Sequence, residues 1–203
     1  WKRRELREGD VILLESAGCV DRYHAMVARS AVLGHSTEKQ LKMAATIIAV
    51  LEKAIESIKP GVTSAEVDRK CREITESAGV EGKFAHRTGY AIGIGFPPNW
   101  SEGKFLALRA DDPTVLEPGM TFHCVPTLFG EQYGMCFSES VLVTDQGCEV
   151  LTDFPRKLFE IEIKWNTFKS LCVVVCSKGK GPAHNTTSHD HRIVRAAGPF
   201  RPR

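Results

Sequence analysis

His86-Arg-Thr-Gly-Tyr-Ala-Ile-Gly-Ile-Gly-Phe-Pro-Pro-Asn-Trp100 is the stretch on which the reading of this chain turns. Gly89, Gly93 and Gly95 are interleaved with Tyr90, Ile92, Ile94 and Phe96. Glycine inside a strand weakens it unless a ligand or another backbone must come close. Pro97 and Pro98 then remove ladder donors and end the strand. The pattern predicts an irregular strand whose glycines admit something, followed by a rigid loop over residues 97–101 that roofs a cavity.

Upstream, residues 11–15 (Val-Ile-Leu-Leu-Glu) form a short apolar run that predicts a buried strand, with a bend at Ala17-Gly18 and a second strand over 21–33 paired back on the first. Thr37-Glu-Lys-Gln40 and Thr63-Ser-Ala-Glu66 each have the pattern of a capping box. Leu41, Ala44, Ala45, Ile48, Leu51, Ile55 and Ile58 recur at helical spacing after the first box, and Pro60-Gly61 stops that helix. Val67, Cys71, Ile74 and Ala78 follow the second, which Gly79 closes. Downstream, 106–116 reads as a polar loop, 121–125 as a strand ended by Pro126, and 134–144 as one strand turned at Asp145-Gln-Gly147 onto 148–151. Strands, two helices and more strands predict an α+β fold rather than a parallel βαβ sheet.

At 203 residues, with 42% apolar and 26% charged residues, the chain has the make-up of an ordinary globular domain. A net charge of +2 gives no reason to expect nucleic acid or a membrane surface as partner. The seven cysteines are odd in number and form no C-x-x-C pair, which predicts free thiols in a reducing, cytoplasmic setting. No apolar run is long enough to span a bilayer. Composition shifts near Phe159: residues 171–176 suggest one more strand, and 177–203, rich in Gly, Pro, His and Arg, read as disordered. His184, His189 and His191 lack partners at ligand spacing and are assigned to a solvated tail.

Five segments resemble the "pita-bread" domain of peptidase family M24, which includes methionine aminopeptidase, aminopeptidase P and creatinase. They are Glu8-Gly-Asp-Val-Ile-Leu-Leu-Glu15, Lys59-Pro-Gly-Val-Thr-Ser-Ala-Glu66, His86-Arg-Thr-Gly-Tyr-Ala-Ile-Gly93, Leu116-Glu-Pro-Gly-Met120 and Glu139-Ser-Val-Leu-Val-Thr144. The resemblance implies a pita-bread domain over 1–160, incomplete at its N-terminus because the chain begins at Trp1, and an atypical tail over 161–203. It implies a homodimer for the full-length parent.

Metallopeptidases of this family hold two divalent ions with two aspartates, a histidine and two glutamates. Those positions fall here on Glu15, Met26, Tyr90, Val125 and Ser138, with Glu139 one residue beyond the last. A one-residue shift on a strand reverses the face, so Glu139 replaces the lost ligand only through a bulge. The resemblance therefore implies no metal and no cofactor. It selects the metal-free branch, because Asp21-Arg-Tyr-His24 places His24 where creatinase has its acid/base histidine. Finer details resemble the ectoine hydrolases and their Xaa-Pro peptidase-like relatives.

The expected activity is metal-independent hydrolysis of a C–N bond in a small cyclic or amidine-like substrate. His24 would move the proton, His86 would stabilise the oxyanion, and Glu139 and Glu15 would hold a cationic amidinium. Tyr90 and His123 are expected to line the same pocket. The alternatives are an Xaa-Pro metallopeptidase and a catalytically inactive binding module.

Overall fold

The computed structural model describes residues 5–80, 83–96, 99–101 and 105–162. The predicted strand over 171–176, the predicted disorder of the tail, and Pro97 and Pro98 lie outside the described residues.

Strand β1 (Val11–Val20) and strand β2 (Tyr23–Leu33) form a long antiparallel ribbon. Asp21 (φ 48°) and Arg22 (φ 72°) make its two-residue turn, the left-handed geometry that matches the twist of paired strands. The first strand thus runs past the bend expected at Ala17-Gly18. From Leu14 outward β1 is exposed, so no buried apolar pattern marked its continuation; the ladder to β2 carries it.

Helix α1 (Glu38–Ser57) opens with the full capping box: Gln40 N–H donates to Thr37 Oγ1 and Thr37 N–H donates to Gln40 Oε1. Helix α2 (Ser64–Ser77) keeps half of its box. Thr63 Oγ1 accepts from Glu66 N–H, while the Glu66 carboxylate pairs with Lys70 at 3.1 Å. The buried stripe of α1 is centred on Met43, Ile47, Val50 and Ala54, whereas Leu41 is 52% exposed. Of the predicted face, Ala44, Leu51 and Ile58 are buried and Ile48 and Ile55 are half-buried, so the packing surface overlaps that face and is rotated from it toward Met43, Ile47, Val50 and Ala54.

Both helices lie on a five-stranded sheet of order β4-β3-β5-β8-β9. Its strands are β3 (Gly89–Ala91), β4 (Ala107–Leu108), β5 (Thr121–Cys124), β8 (Glu139–Val143) and β9 (Cys148–Val150). Phe122, Cys124, Val141 and Val143 join Ile47, Leu51 and Val67 in the main core. Burying a side chain of the Val, Leu or Phe class contributes roughly 1.5–3 kcal/mol. Strand β4 lies inside the predicted loop. Asp112 fixes it by accepting from Ala107 N–H (3.1 Å), a contact no local pattern announces.

The single strand predicted over 134–144 is two. Strands β6 (Thr127–Phe129) and β7 (Gly134–Cys136) form a separate hairpin, and Phe137-Ser138 breaks the run before β8. The break occurs where the chain crosses β2: Ser138 N–H donates to Ala28 O at 3.0 Å, and Ser30 Oγ meets Cys136 N–H at 2.9 Å. Last, β10 (Phe159–Ile161) runs parallel to β2, the one parallel pair among the described residues. Among the described residues no helix is long and apolar enough to cross a membrane.

Candidate active site

Strand alternation places Glu15, Ala17 and Cys19 of β1 opposite Ala28, Met26 and His24 of β2, all on one face of the ribbon. The sheet meets this face with His123 of β5 and Tyr90 of β3, which are paired across the ladder. Gly89 permits the approach, since a Cβ there would stand 2.7 Å from His123 O. Beyond β3 the chain leaves the sheet for the ribbon tip. Gly93 O accepts from His24 N–H (3.1 Å), and Gly95 N–H donates to Arg22 O (3.0 Å). A Cβ on Gly95 would press on the Trp100 backbone at 3.0 Å. The glycines of the quoted stretch admit backbone, and the predicted long strand is cut to three residues because of it.

His123 is the hub. Its Nδ1 lies 2.9 Å from Tyr90 Oη and its Nε2 lies 2.7 Å from Ser138 Oγ. Trp100 Nε1–H donates to Tyr90 Oη (2.9 Å), and Ala28 N–H donates to Ser138 Oγ (2.6 Å). A neutral imidazole has one N–H for these two hydroxyls, so one hydroxyl donates to the ring and the other accepts. Burial, assisted by the nearby Arg87 guanidinium, pushes the His123 pKa down to about 3 and holds the ring neutral. Burial likewise raises Tyr90 to about 12; the Trp100 hydrogen bond opposes this and the Glu15 carboxylate adds to it. Glu15 Oε1 is 4.0 Å from His123 Nδ1, with its side chain 31% exposed. Burial raises its pKa as well.

Met26, Tyr90 and Ile92 pack with Trp100 and Val125 in a second apolar cluster. The structure thus gathers all five positions that the resemblance assigns to metal ligands: Glu15, Tyr90 and Ser138 around His123, Met26 and Val125 beside them. These side chains do not fit a pair of divalent ions. Only Glu15 offers a carboxylate, Met26 and Val125 offer no hard donor, and Tyr90 and Ser138 already bond to His123. Among the described residues no group of three or more His, Cys, Asp or Glu side chains is placed to hold a metal.

The other predicted site residues fall in different places. Glu139 is fully buried, and its carboxylate is consumed by Arg29 Nη2 (2.6 Å), Arg156 Nε (2.8 Å) and the Thr152 hydroxyl. Ser138 turns to His123 and its neighbour turns away, the face reversal that a one-residue shift entails. Glu139 is therefore corrected from a substrate ligand to the anchor of the segment after β9. His24 lines an open cleft of about 370 Å³ with Cys19, Ile92, Gly93, Thr121 and Leu151, and its Nδ1 lies 2.9 Å from Arg22 O. It shares the ribbon face of Glu15 and Met26, farther toward the tip. His86 lies ahead of β3. Its carbonyl accepts from Arg72 Nη2 (3.1 Å), and Arg72 is paired with the buried Asp68 at 2.6 Å. Asp68 in turn accepts from Thr88 Oγ1 (2.7 Å), which fixes the approach to Tyr90.

Sequence reasoning passed over Ser138 as a lost ligand and did not single out Arg87 or Trp100. Arg87 lies over the Tyr90 ring, 4.4 Å from its centroid. The available signal was a lone cation directly before the glycine-rich strand.

The model of metallopeptidase family M24 matches residues 1–145. Ectoine hydrolase of Halomonas elongata is 39% identical over 159 residues, which are 78% of this chain and 39% of that protein. The crystal structure of dipeptidase PepE from Mycobacterium ulcerans superposes with a TM-score of 0.71 at 25% identity, over 79% of this chain and 42% of that one. Prolidase from Pyrococcus furiosus gives 0.68 at 25% identity, over 75% and 44%. The chain spans about two fifths of the length of the ectoine hydrolase it matches.

Proposed function

The chain belongs to metallopeptidase family M24, and on that premise we propose that its full-length protein is a metal-independent hydrolase of a C–N bond in a small cyclic amidine, with ectoine as the leading substrate. One observation carries the reading. Tyr90 and Ser138, at two of the positions that hold metal elsewhere in the family, hydrogen-bond to a neutral His123, with Glu15 at the edge of that set and Met26 and Val125 packed beside it. Similarity to an ectoine hydrolase at 39% identity supports the substrate class.

In this mechanism the Glu15 carboxylate holds the cationic amidinium. Tyr90 lines the site as a neutral phenol, and His123, with both ring nitrogens engaged, holds that phenol in place. His24, in the adjoining cleft, takes a proton from the attacking water and returns it to the leaving nitrogen. Glu139, held by Arg29 and Arg156, has no part in the chemistry, and His86, ahead of β3, is assigned no step. Proton NMR of ectoine incubated with the purified full-length protein tests this. Ring opening that His24→Ala slows by about 100-fold or more is expected. An intact ectoine spectrum at high enzyme concentration overturns the proposal.

A second reading, an Xaa-Pro dipeptidase, draws on the superposition with prolidase. It requires Met26 and Val125 to be bypassed by other ligands. Manganese-dependent cleavage of glycylproline would establish it in place of the first.

A further inference from the structure

Arg87 is a cation at the site that forms no ion pair among the described residues. Its Nε is buried and makes no hydrogen bond among the described residues. Among the described residues Tyr90 and Arg109 act on the guanidinium, His123 lies within its influence, and burial makes its charge harder to hold. Arg109 is exposed and near Asp112, so it adds repulsion and no relief. The guanidinium lies 4.4 Å over the ring of Tyr90, whose hydroxyl is 2.9 Å from His123 Nδ1. At that hydroxyl end stands Glu15, 4.0 Å from the same nitrogen. Tyr90 therefore has a cation over its face and a carboxyl near its tip, and neither charge is spent on the other.

A half-buried guanidinium whose Nε–H is buried without a hydrogen bond is costly, and its planar fork matches a carboxylate with two parallel hydrogen bonds. Lysine offers only a point charge there. A phosphate would also satisfy the fork, but the neighbouring Glu15 carboxyl disfavours a dianion. We propose that Arg87 binds the carboxylate of the substrate and, with Glu15, makes the site selective for a zwitterion: a cationic amidine that carries a carboxylate. The inference rests on the amidine reading above and adds the group that decides which amidines are accepted. In it Arg87 touches substrate at a distance from the bond that breaks, so it governs binding more than turnover.

The test uses the full-length protein and two probes, ectoine and its carboxylate-free counterpart 2-methyl-1,4,5,6-tetrahydropyrimidine. Wild type should prefer ectoine, and Arg87→Gln should weaken ectoine binding by about 100-fold, the worth of a charge-assisted bidentate contact. The carboxylate-free amidine should bind both proteins alike, and kcat for ectoine should change far less than KM. Arg87→Lys should fall between, which keeps the experiment decisive should the glutamine variant fail to fold. Equal weakening of both probes, or an unchanged preference for ectoine, would overturn the inference. If wild type binds neither probe, the amidine reading fails by itself. The carboxylate site is then decided by titrating sodium acetate while following the Arg87 Nε–H resonance, where a saturable shift supports it and none refutes it.

Discussion

Replacing His123 by glutamine should make the stability of this domain less sensitive to acid. The ring is fully buried between two hydroxyls, and burial holds its pKa at about 3 against 6.5 in the unfolded chain. Below 6.5 the unfolded state takes up a proton that the folded state refuses until about pH 3. Stability is therefore complete above 6.5 and falls as pH drops through that window, at a limiting slope of about 1.4 kcal/mol per pH unit. Between about pH 7 and about pH 5 the loss from this one group is about 2 kcal/mol. Glutamine offers one donor and one acceptor to the same hydroxyls and does not titrate. His24, His35 and His86 are common to both proteins and largely cancel. Urea unfolding of wild type and His123→Gln at the two pH values provides the measurement. The stability advantage of wild type should shrink by about 2 kcal/mol at the lower pH. Parallel pH profiles would refute the argument that His123 is held neutral by its surroundings.

Arg29→Met should cost about 2 kcal/mol by chemical denaturation, because it strips one partner from the buried Glu139 carboxylate while Arg156 and Thr152 remain. Glu139→Gln should lower the melting temperature and leave KM for the amidine unchanged; an altered KM with unaltered melting would restore Glu139 to the site. Gly89→Ala places a methyl 2.7 Å from His123 O and should destabilise by roughly 1–3 kcal/mol, visible in the same unfolding assay. Glu15 has its pKa raised by burial, so its ionisation opposes folding as pH rises through the folded-state value. Glu15→Gln should accordingly gain stability relative to wild type at about pH 8, with the gain vanishing below the unfolded value of 4.5, while its affinity for a cationic amidine falls. Equal pH dependence of the two proteins would count against a partly buried Glu15 carboxyl.

The parts of this fold that can be read from the chain are those specified locally. Thr37 and Gln40 cap α1, and Gly79, at φ 55°, follows α2 where a left-handed residue is wanted. The parts that cannot are set by contacts distant in sequence. The outer half of β1 is exposed and exists because β2 holds it, while the Gly93 and Gly95 backbone ties down His24 and Arg22 at the ribbon tip. Strand β4 depends on the Asp112 carboxylate, and the break between β7 and β8 depends on where Ser138 crosses Ala28. At the site, Glu15, Tyr90 and His123 were recognisable as polar groups in apolar strands, and they meet. Glu139 has the same appearance in sequence, yet two arginines take it away, and only the register of β5 against β8 separates it from Ser138. Arg87 carries no periodic signal, only its place as a lone cation directly before the glycine-rich strand; its interest arises from the buried Nε–H that finds no hydrogen bond among the described residues.

The account stands on the proposal that this family pocket works without ions, its Tyr90 and Ser138 hydrogen-bonded to His123 where the relatives' ligands would stand. The most direct test is ectoine opening by the full-length protein before and after exhaustive chelation, with bound metal assayed on the same sample. The account predicts undiminished turnover in protein stripped of manganese, cobalt and zinc. Loss of activity on chelation, restored by adding one of these ions in stoichiometric amount, would contradict it.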